Sequence, residues 1–391
     1  MNERKKNYFR SLLKFACFLH KGETLFVKIP DECEDEIEIL RELAFEFQLN
    51  SIFFLKIKGY KDIYNFLIDK PSKKEIWNFI DQCEIDEVGN TFSSVKILDF
   101  SLSYDDHYYK QKLYYEIFDL YKKYLEIDEA KNFNFYDKER LDNVVCSLIV
   151  TKSLAEKVTS GDIFALWNYL FKMVPYEELG DILKKIEKRR NYLNDLGIDK
   201  LHFETKKGSN FDIGLSKYSF WNSIGLDKFS FNFPSYEIYT SPTMDSIDGK
   251  VVVTKPSNLY GNEIHEAYLE FSNGLLTDCY SDNQFWNGLI MNDDNRLRRV
   301  GEIALVTDSP ISNVNIYTNN VLLDENSGCH IALGNYLDDA VKENCSKKNI
   351  FYTSSYHYDL VFGDSSICVE SYVKGKKGKT KELILNGKWQ I

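Results

Sequence analysis

Between residues 24 and 57 the chain reads TLFVKI, then CEDEIEILRELAFEFQ after a short link, then SIFFLKI. Two apolar runs bracket a segment in which Ile37, Leu40, Leu43, Ala44 and Phe47 recur at helical spacing. Strand, helix, strand at this separation is a crossover unit, which makes the two strands a parallel pair. Parallel strands are buried on both faces, so helices must cover them and an α/β domain follows. The same texture runs on. Phe9, Leu12, Leu13, Phe15, Ala16 and Leu19 predict a helix over 7–20. Further helices are expected at 74–86, through the Tyr-rich stretch 105–132, in TKSLAEKV and GDIFALWNYLFKMV, and over 175–197, which opens at Pro175 and stops at Gly197. Strands are expected at 93–101 and 144–150. The tyrosine stripe reads as a helix face covering the sheet rather than a peptide-binding surface. KKIEKRR reads as a solvated face.

Near residue 198 the pattern changes from helical to alternating. LHFETKKGSNFDIGLS (201–216) predicts a β-hairpin. Strands are expected at 250–256, 267–280, 302–306, 315–318, 359–363, 367–373 and 381–387, with one helix near 282–297. The expected architecture is an α/β domain over 1–198, a parallel sheet with covering helices that serves dimerisation or substrate gating. A β-rich α+β domain that binds metal follows over 199–391. A chain of 391 residues is long enough for two such cores.

The net charge of −11 excludes a general nucleic-acid or anionic-membrane binder, which needs a positive field, and suits neutral or cationic small partners. No stretch approaches the roughly 20 apolar residues of a membrane span. The first residues carry a short apolar run broken by Lys14 and read as an amphipathic helix rather than a signal peptide. Eight cysteines include no CxxC pair, so they are read as reduced thiols of a cytoplasmic protein.

The chemistry concentrates between residues 237 and 359. In SSYHYDLVFG, His357 and Asp359 are two apart, so an extended chain points both to one side and Tyr356 and Tyr358 to the other. Imidazole with carboxylate suits Zn, Co or Mn. In DENSGCHIAL, a polar turn at Gly328 aims Glu325 and His330 inward. Glu302 leads the apolar run IALV, where an unpaired carboxylate is costly to bury. Glu237 stands between two prolines in FNFPSYEIYTSP. Four carboxylates and two of six histidines make the kind of set a two-metal hydrolase needs, with one carboxylate shared between ions about 3.5–4 Å apart. His20, His107, His202 and His265 lack such company and read as structural or exposed.

The order and wording of these segments resembles the aminopeptidase T/aminopeptidase S family, the thermophilic-type two-metal aminopeptidases. The likeness runs through LHFETKKGSNFDIGLS, FNFPSYEIYTSP, RRVGEIALVTDSPIS, LLDENSGCHIALGNY and SSYHYDLVFG, and more loosely through HKGETLFVKIP. It implies a homodimer that removes N-terminal residues from peptides with free N-termini, using two divalent ions, Zn, Co, Mn or Mg. By resemblance, Glu237, Glu302, His330, His357 and Asp359 match the metal ligands. Glu325 matches a further site carboxylate, ligand or neighbour of the ligands. Tyr336 matches a tyrosine that donates to the tetrahedral oxyanion, Glu302 is the bridging ligand, and Glu302 or Glu325 is the general base. Three departures stand out. Tyr236 replaces a usual glycine before Glu237, and a tyrosine takes positive φ less readily. HIALGNY is one residue shorter than the usual spacing to its tyrosine. NDDNRLRRVGE replaces a small-residue approach to Gly-Glu. These departures keep open a second reading, an inactive relative that binds peptides or acts as a scaffold. A third, a phosphoester hydrolase, lacks the Arg, Lys and glycine-rich loop that phosphate calls for.

Overall fold

A computed structural model describes residues 1–57, 85–88, 95–100, 144–224, 232–259, 262–292, 296–314, 316–318, 320–342, 350–373 and 381–391. The chain forms two compact units, Met1–Leu179 with Gly225–Pro234, and Gly180–Ile224 with Ser235–Ile391.

The first unit is built on β1 (Thr24–Pro30), every residue of which is buried, as covering on both faces demands. Helix α1 (Asn2–Ser11) runs into a π-helical turn at Leu12–Ala16, and α2 (Glu34–Glu46) crosses from β1 to β2 (Ser51–Ile57). Strand β1 pairs in parallel with β2, as the crossover requires. Strands β3 (Ile85–Val88), β4 (Val95–Asp99) and β5 (Val144–Ser147) extend the sheet, with the short strand Asn232–Phe233 at its edge. The order is β3-β2-β1-β4-β5 followed by Asn232–Phe233. All described pairings are parallel except β2–β3, so the expected parallel sheet carries one antiparallel edge. The expected helix 74–86 is corrected at its end, where Ile85 and Asp86 belong to β3. The rest of that helix and the tyrosine-rich segment 105–132 lie outside the described residues. Phe9, Leu12 and Leu13 are fully buried, and Lys5 pairs with Glu36 between α1 and α2. Helices α3 (Lys152–Thr159) and α4 (Ile163–Met173) start where Thr151 and Asp162 accept the backbone N–H of Leu154 and Ala165. Helix α5 (Tyr176–Leu196) ends at Gly197, whose φ of 62° is the left-handed stop the sequence suggests.

The second unit is β-rich. Its strands are β6 (Ile198–Glu204), β7 (Asn210–Gly214), β8 (Asn222–Ser223), β9 (Ile238–Thr240), β10 (Asp248–Val253), β11 (Ala267–Ser272), β12 (Leu275–Ser281), β13 (Val300–Leu305), β14 (His330–Gly334), β15 (His357–Val361), β16 (Cys368–Val373), β17 (Lys381–Leu385) and β18 (Lys388–Trp389). A separate two-stranded ribbon pairs Ser257–Leu259 with Asn262–Ile264. The larger sheet has the order β12-β11-β10-β7-β6-β16-β17-β18. The smaller is wholly antiparallel, in the order β15-β14-β13-β9-β8. Phe362, just past β15, packs edge-on against Phe203 and Phe211, which stack on each other across β6 and β7 with ring centres 4.8 Å apart. Helix α6 (Gln284–Met291), shorter than the expected 282–297, brings Trp286 Nε1 within 3.0 Å of the Tyr358 hydroxyl. Of the expected strand at 315–318, the described residues 316–318 form no strand. Thr318 gives both its N–H and its hydroxyl to Asp324, at 3.0 and 2.9 Å, and this local bonding replaces a ladder. Among the described residues no helix is long and apolar enough to cross a membrane.

Candidate metal centre

Alternation along the smaller sheet sorts its side chains into two faces. Ile238, Ile303, Ile331, Leu333 and Leu360 fall on one face and are all essentially inaccessible to solvent. The other face takes the intervening positions. Its register sets Tyr239 opposite Ala304 and Ala304 opposite His330. Glu302 lies opposite Ala332, Ala332 opposite Asp359, and Gly334 opposite His357. The polar side chains therefore rise from the strands around three small residues, Ala304, Ala332 and Gly334, which leave the space above the sheet open. Glu237 enters immediately before β9.

Two imidazoles face this cluster. His330 Nε2 is 3.1 Å from Glu237 Oε2 and 3.8 Å from Glu302 Oε1. His357 Nε2 is 3.0 Å from Glu302 Oε2 and 3.5 Å from Asp359 Oδ1. Glu302 thus turns one oxygen to each histidine. Behind the rings, the Nδ1–H of His330 donates to the Gly328 carbonyl at 3.2 Å, and that of His357 to the Asn335 carbonyl at 3.1 Å. With Nδ1 donating to a carbonyl, each ring turns its Nε2 inward, where it can give a proton to a carboxylate or a lone pair to an ion. Two sets of donor atoms, Glu237–Glu302–His330 and Glu302–His357–Asp359, are each close enough for one ion, with Glu302 in common. Glu325, in the helical turn Val321–Ser327 that replaces the expected open loop, is buried beside them but in neither set.

The electrostatics call for cations. Burial lifts the Glu302 carboxyl to about 7, the charges of Glu237 and Asp359 adding to it and His357 opposing. Burial likewise holds Glu325 well above the ordinary carboxylate range, reinforced by Asp359, Glu237 and Glu302. Burial works against protonated His330, but its hydrogen bond to Glu237 and the carboxylate charges outweigh that and lift it to about 9. Four carboxylates against two imidazoles leave an anionic excess in a buried place, and nitrogen and oxygen donors together are what a borderline divalent ion takes. The residues fit a metal site.

The Tyr236 departure is resolved by the backbone. Tyr236 is not among the residues with positive φ. It is buried, and its N–H donates to Asn326 Oδ1 at 2.6 Å. Ser235 Oγ donates to Glu237 Oε1 at 3.2 Å, which steadies the carboxylate whose other oxygen meets His330. Tyr336 is a different case. Its hydroxyl donates to Asp338 Oδ1 at 2.8 Å, and its ring stacks on Phe351. The remaining histidines behave as expected where described. His20 and His265 are exposed, and His202 Nδ1 lies 2.8 Å from Asp212 Oδ1. His107 lies outside the described residues. Two contributors escaped the sequence reading. One is the pair of carbonyls at Gly328 and Asn335. The other is Tyr239, two residues beyond Glu237 and so on the same face, a position the alternation rule would have reached.

The fold matches that of AmpT from Thermus thermophilus with a TM-score of 0.77 at 20% identity, over 100% of this chain and 99% of that one. A 2,5-dihydroxypyridine dioxygenase from Pseudomonas putida KT2440 shares it more distantly, with a TM-score of 0.54 at 13% identity over 100% and 97% of the two chains. One architecture shared by two proteins so differently named cannot by itself choose the chemistry. In sequence, Aminopeptidase 2 of Geobacillus stearothermophilus is 29% identical over 271 residues. Aminopeptidase AmpS of Bacillus subtilis (strain 168) is 28% identical over 253. These matches take in 62% and 58% of this chain and 63% and 59% of the relatives, so the chain spans less than two thirds of each curated relative it matches. A family model described as thermophilic metalloprotease (M29) matches residues 150–389, which is more than half of the chain and contains every residue of the candidate cluster, and the chain belongs to that family.

Proposed function

We propose that this protein is a metal-dependent aminopeptidase that releases N-terminal residues from peptides with two divalent ions held in its β-rich part, 199–391. The observation that carries the reading is Glu302, whose two oxygens face two separate histidine-centred donor sets. Glu237 and His330 would hold one ion, His357 and Asp359 the other, and Glu302 both. When bound, such ions supply Lewis acidity toward a scissile carbonyl and lower the pKa of water. The chain's own residues do the rest. Carbonyls at Gly328 and Asn335 keep each Nε2 aimed inward. Glu325, buried beside the two donor sets but in neither, is assigned as the general base that accepts a proton from attacking water. Tyr336 donates to the tetrahedral oxyanion, its hydroxyl passing from Asp338 to the substrate. The names of the relatives support peptide substrates with free N-termini. The proposal includes a homodimer and a cytoplasmic location. The free thiols of the six described cysteines are consistent with a reducing compartment.

Metal content measured alongside amino-acid release from unblocked and N-acetylated peptides, with and without chelator, tests this reading. Two ions per chain and chelator-sensitive cleavage of unblocked peptides only is the expected result. Metal without peptide cleavage would overturn the substrate assignment, and cleavage that survives metal removal would overturn the metal assignment.

A further inference from the structure

Asp339 stands on the short 3₁₀ turn Asp338–Ala340, is exposed, and has no part in the ligand sets. Its carboxylate is nonetheless held. Oδ2 accepts the Tyr239 hydroxyl at 2.7 Å and Asn222 Nδ2 at 2.9 Å. The turn is pinned on both sides, by Phe220 N–H to the Ala340 carbonyl and Lys342 N–H to the Tyr218 carbonyl, each 2.9 Å. Oδ1 has no partner among the described residues. Tyr239 rises from the ligand-bearing face, two residues from Glu237 and in register with Ala304 and His330.

We propose that Asp339, fixed by Tyr239 and Asn222, is a specificity-determining residue that receives the cationic head of a lysine or arginine at the substrate's N-terminus. The inference rests on the aminopeptidase reading above. The α-amine of a substrate lies two bonds from the scissile carbonyl and so belongs against the ligand cluster. The Tyr239 hydroxyl meets Asp339 at the far end of its side chain, and Asn222 meets it from the edge strand β8, so Asp339 stands at a remove from the ligand residues that a long cationic side chain spans and an α-amine does not. One oxygen locked by two donors leaves the other pre-set to accept, so little order is lost on binding. The net charge of −11 draws the same class of substrate.

L-Lysinamide and L-norleucinamide share an α-amine and a straight side chain and differ in the terminal ammonium. Calorimetry of both with the metal-loaded protein reads the contribution of that group alone. Wild type should bind lysinamide about tenfold more tightly, the size of a partly solvated charge-assisted hydrogen bond. Asp339→Asn, which keeps an oxygen for Tyr239 and Asn222, should erase the preference. Tyr239→Phe, which only frees the carboxylate, should reduce it by part. Equal binding of the two amides to wild type, a preference that survives in D339N, or failure of either amide to bind would each overturn the proposal. Release of alanine and leucine from unblocked peptides by wild type reports separately on the aminopeptidase reading.

Discussion

Glu302 is 3% exposed and, among the described residues, has no basic side chain other than the two histidines within ion-pair distance, so its charge depends on what is placed between them. Replacing it with alanine should remove the shared donor from both sets. Loss of several kcal/mol of electrostatic stabilisation predicts a fall in kcat of about 10³-fold or more, with the fold retained by circular dichroism. Turnover close to wild type would take Glu302 out of the mechanism. His330 gives a second, independent handle in metal-free protein. Its folded-state value is about 9 against an ordinary 6.5, so the folded state holds the proton more tightly. The stability from its pairing with Glu237 is then fully present below pH 6.5 and is lost as pH rises through about 9. Thermal melts of chelated protein should show this decline, and His330→Gln should flatten it. Identical profiles for the two proteins would contradict the assignment.

At the scale of the element, the site depends on a bulge. Pairing between β13 and β14 slips between Val300 and Glu302, at Gly301. A Cβ at Gly301 would lie 2.1 Å from the carbonyl oxygen of Asn335, the same oxygen that accepts His357 Nδ1–H. Glycine is required there by close approach, not by φ. Gly301→Ala should therefore cost about 1–3 kcal/mol, as overpacking does. It should also weaken metal binding at the His357 side, because the Asn335 carbonyl must move. Chemical denaturation and metal titration of this variant check both. Unchanged affinity would mean that the carbonyl does not steer the ring. Gly334 is constrained twice over, with φ of 105° and the Tyr356 carbonyl oxygen 2.2 Å from where a Cβ would stand.

For the whole molecule, burying Glu237, Glu302 and Glu325 beside Asp359 with only two imidazoles for company makes stability conditional on cations. Divalent ions at about 100 times their dissociation constant should stabilise the protein by about 2.7 kcal/mol per site. Differential scanning calorimetry should show a melting temperature that rises with metal concentration and falls on chelation. A melting temperature indifferent to both would mean that these residues do not hold the metal.

Much of this was already written in the order of residues. The crossover at 24–57 had to be parallel because its helix leaves no other closure, and β1 and β2 are parallel. His357 and Asp359 had to share a face because a strand alternates, and both meet the cluster. The resemblance carried Glu237 and Glu302 to the same place, where each faces His330. Other features are properties of contacts between distant segments, and no local pattern encodes them. Thr318 was read as a strand residue, but its hydrogen bonds go to Asp324. Tyr236 needs no positive φ, and its N–H goes to Asn326, far along the chain. Tyr336 had a role by resemblance, yet whether its hydroxyl is free depends on Asp338 and Phe351 being where they are. The sequence by itself determined which side chains alternate onto the ligand face and which helices and strands carry them, since periodicity is a local property of the backbone. Only the tertiary structure decided that Glu302 faces two histidines at once and that Asp339 is locked to Tyr239, because strand register and the pinning of turns are settled by packing between segments far apart in the chain.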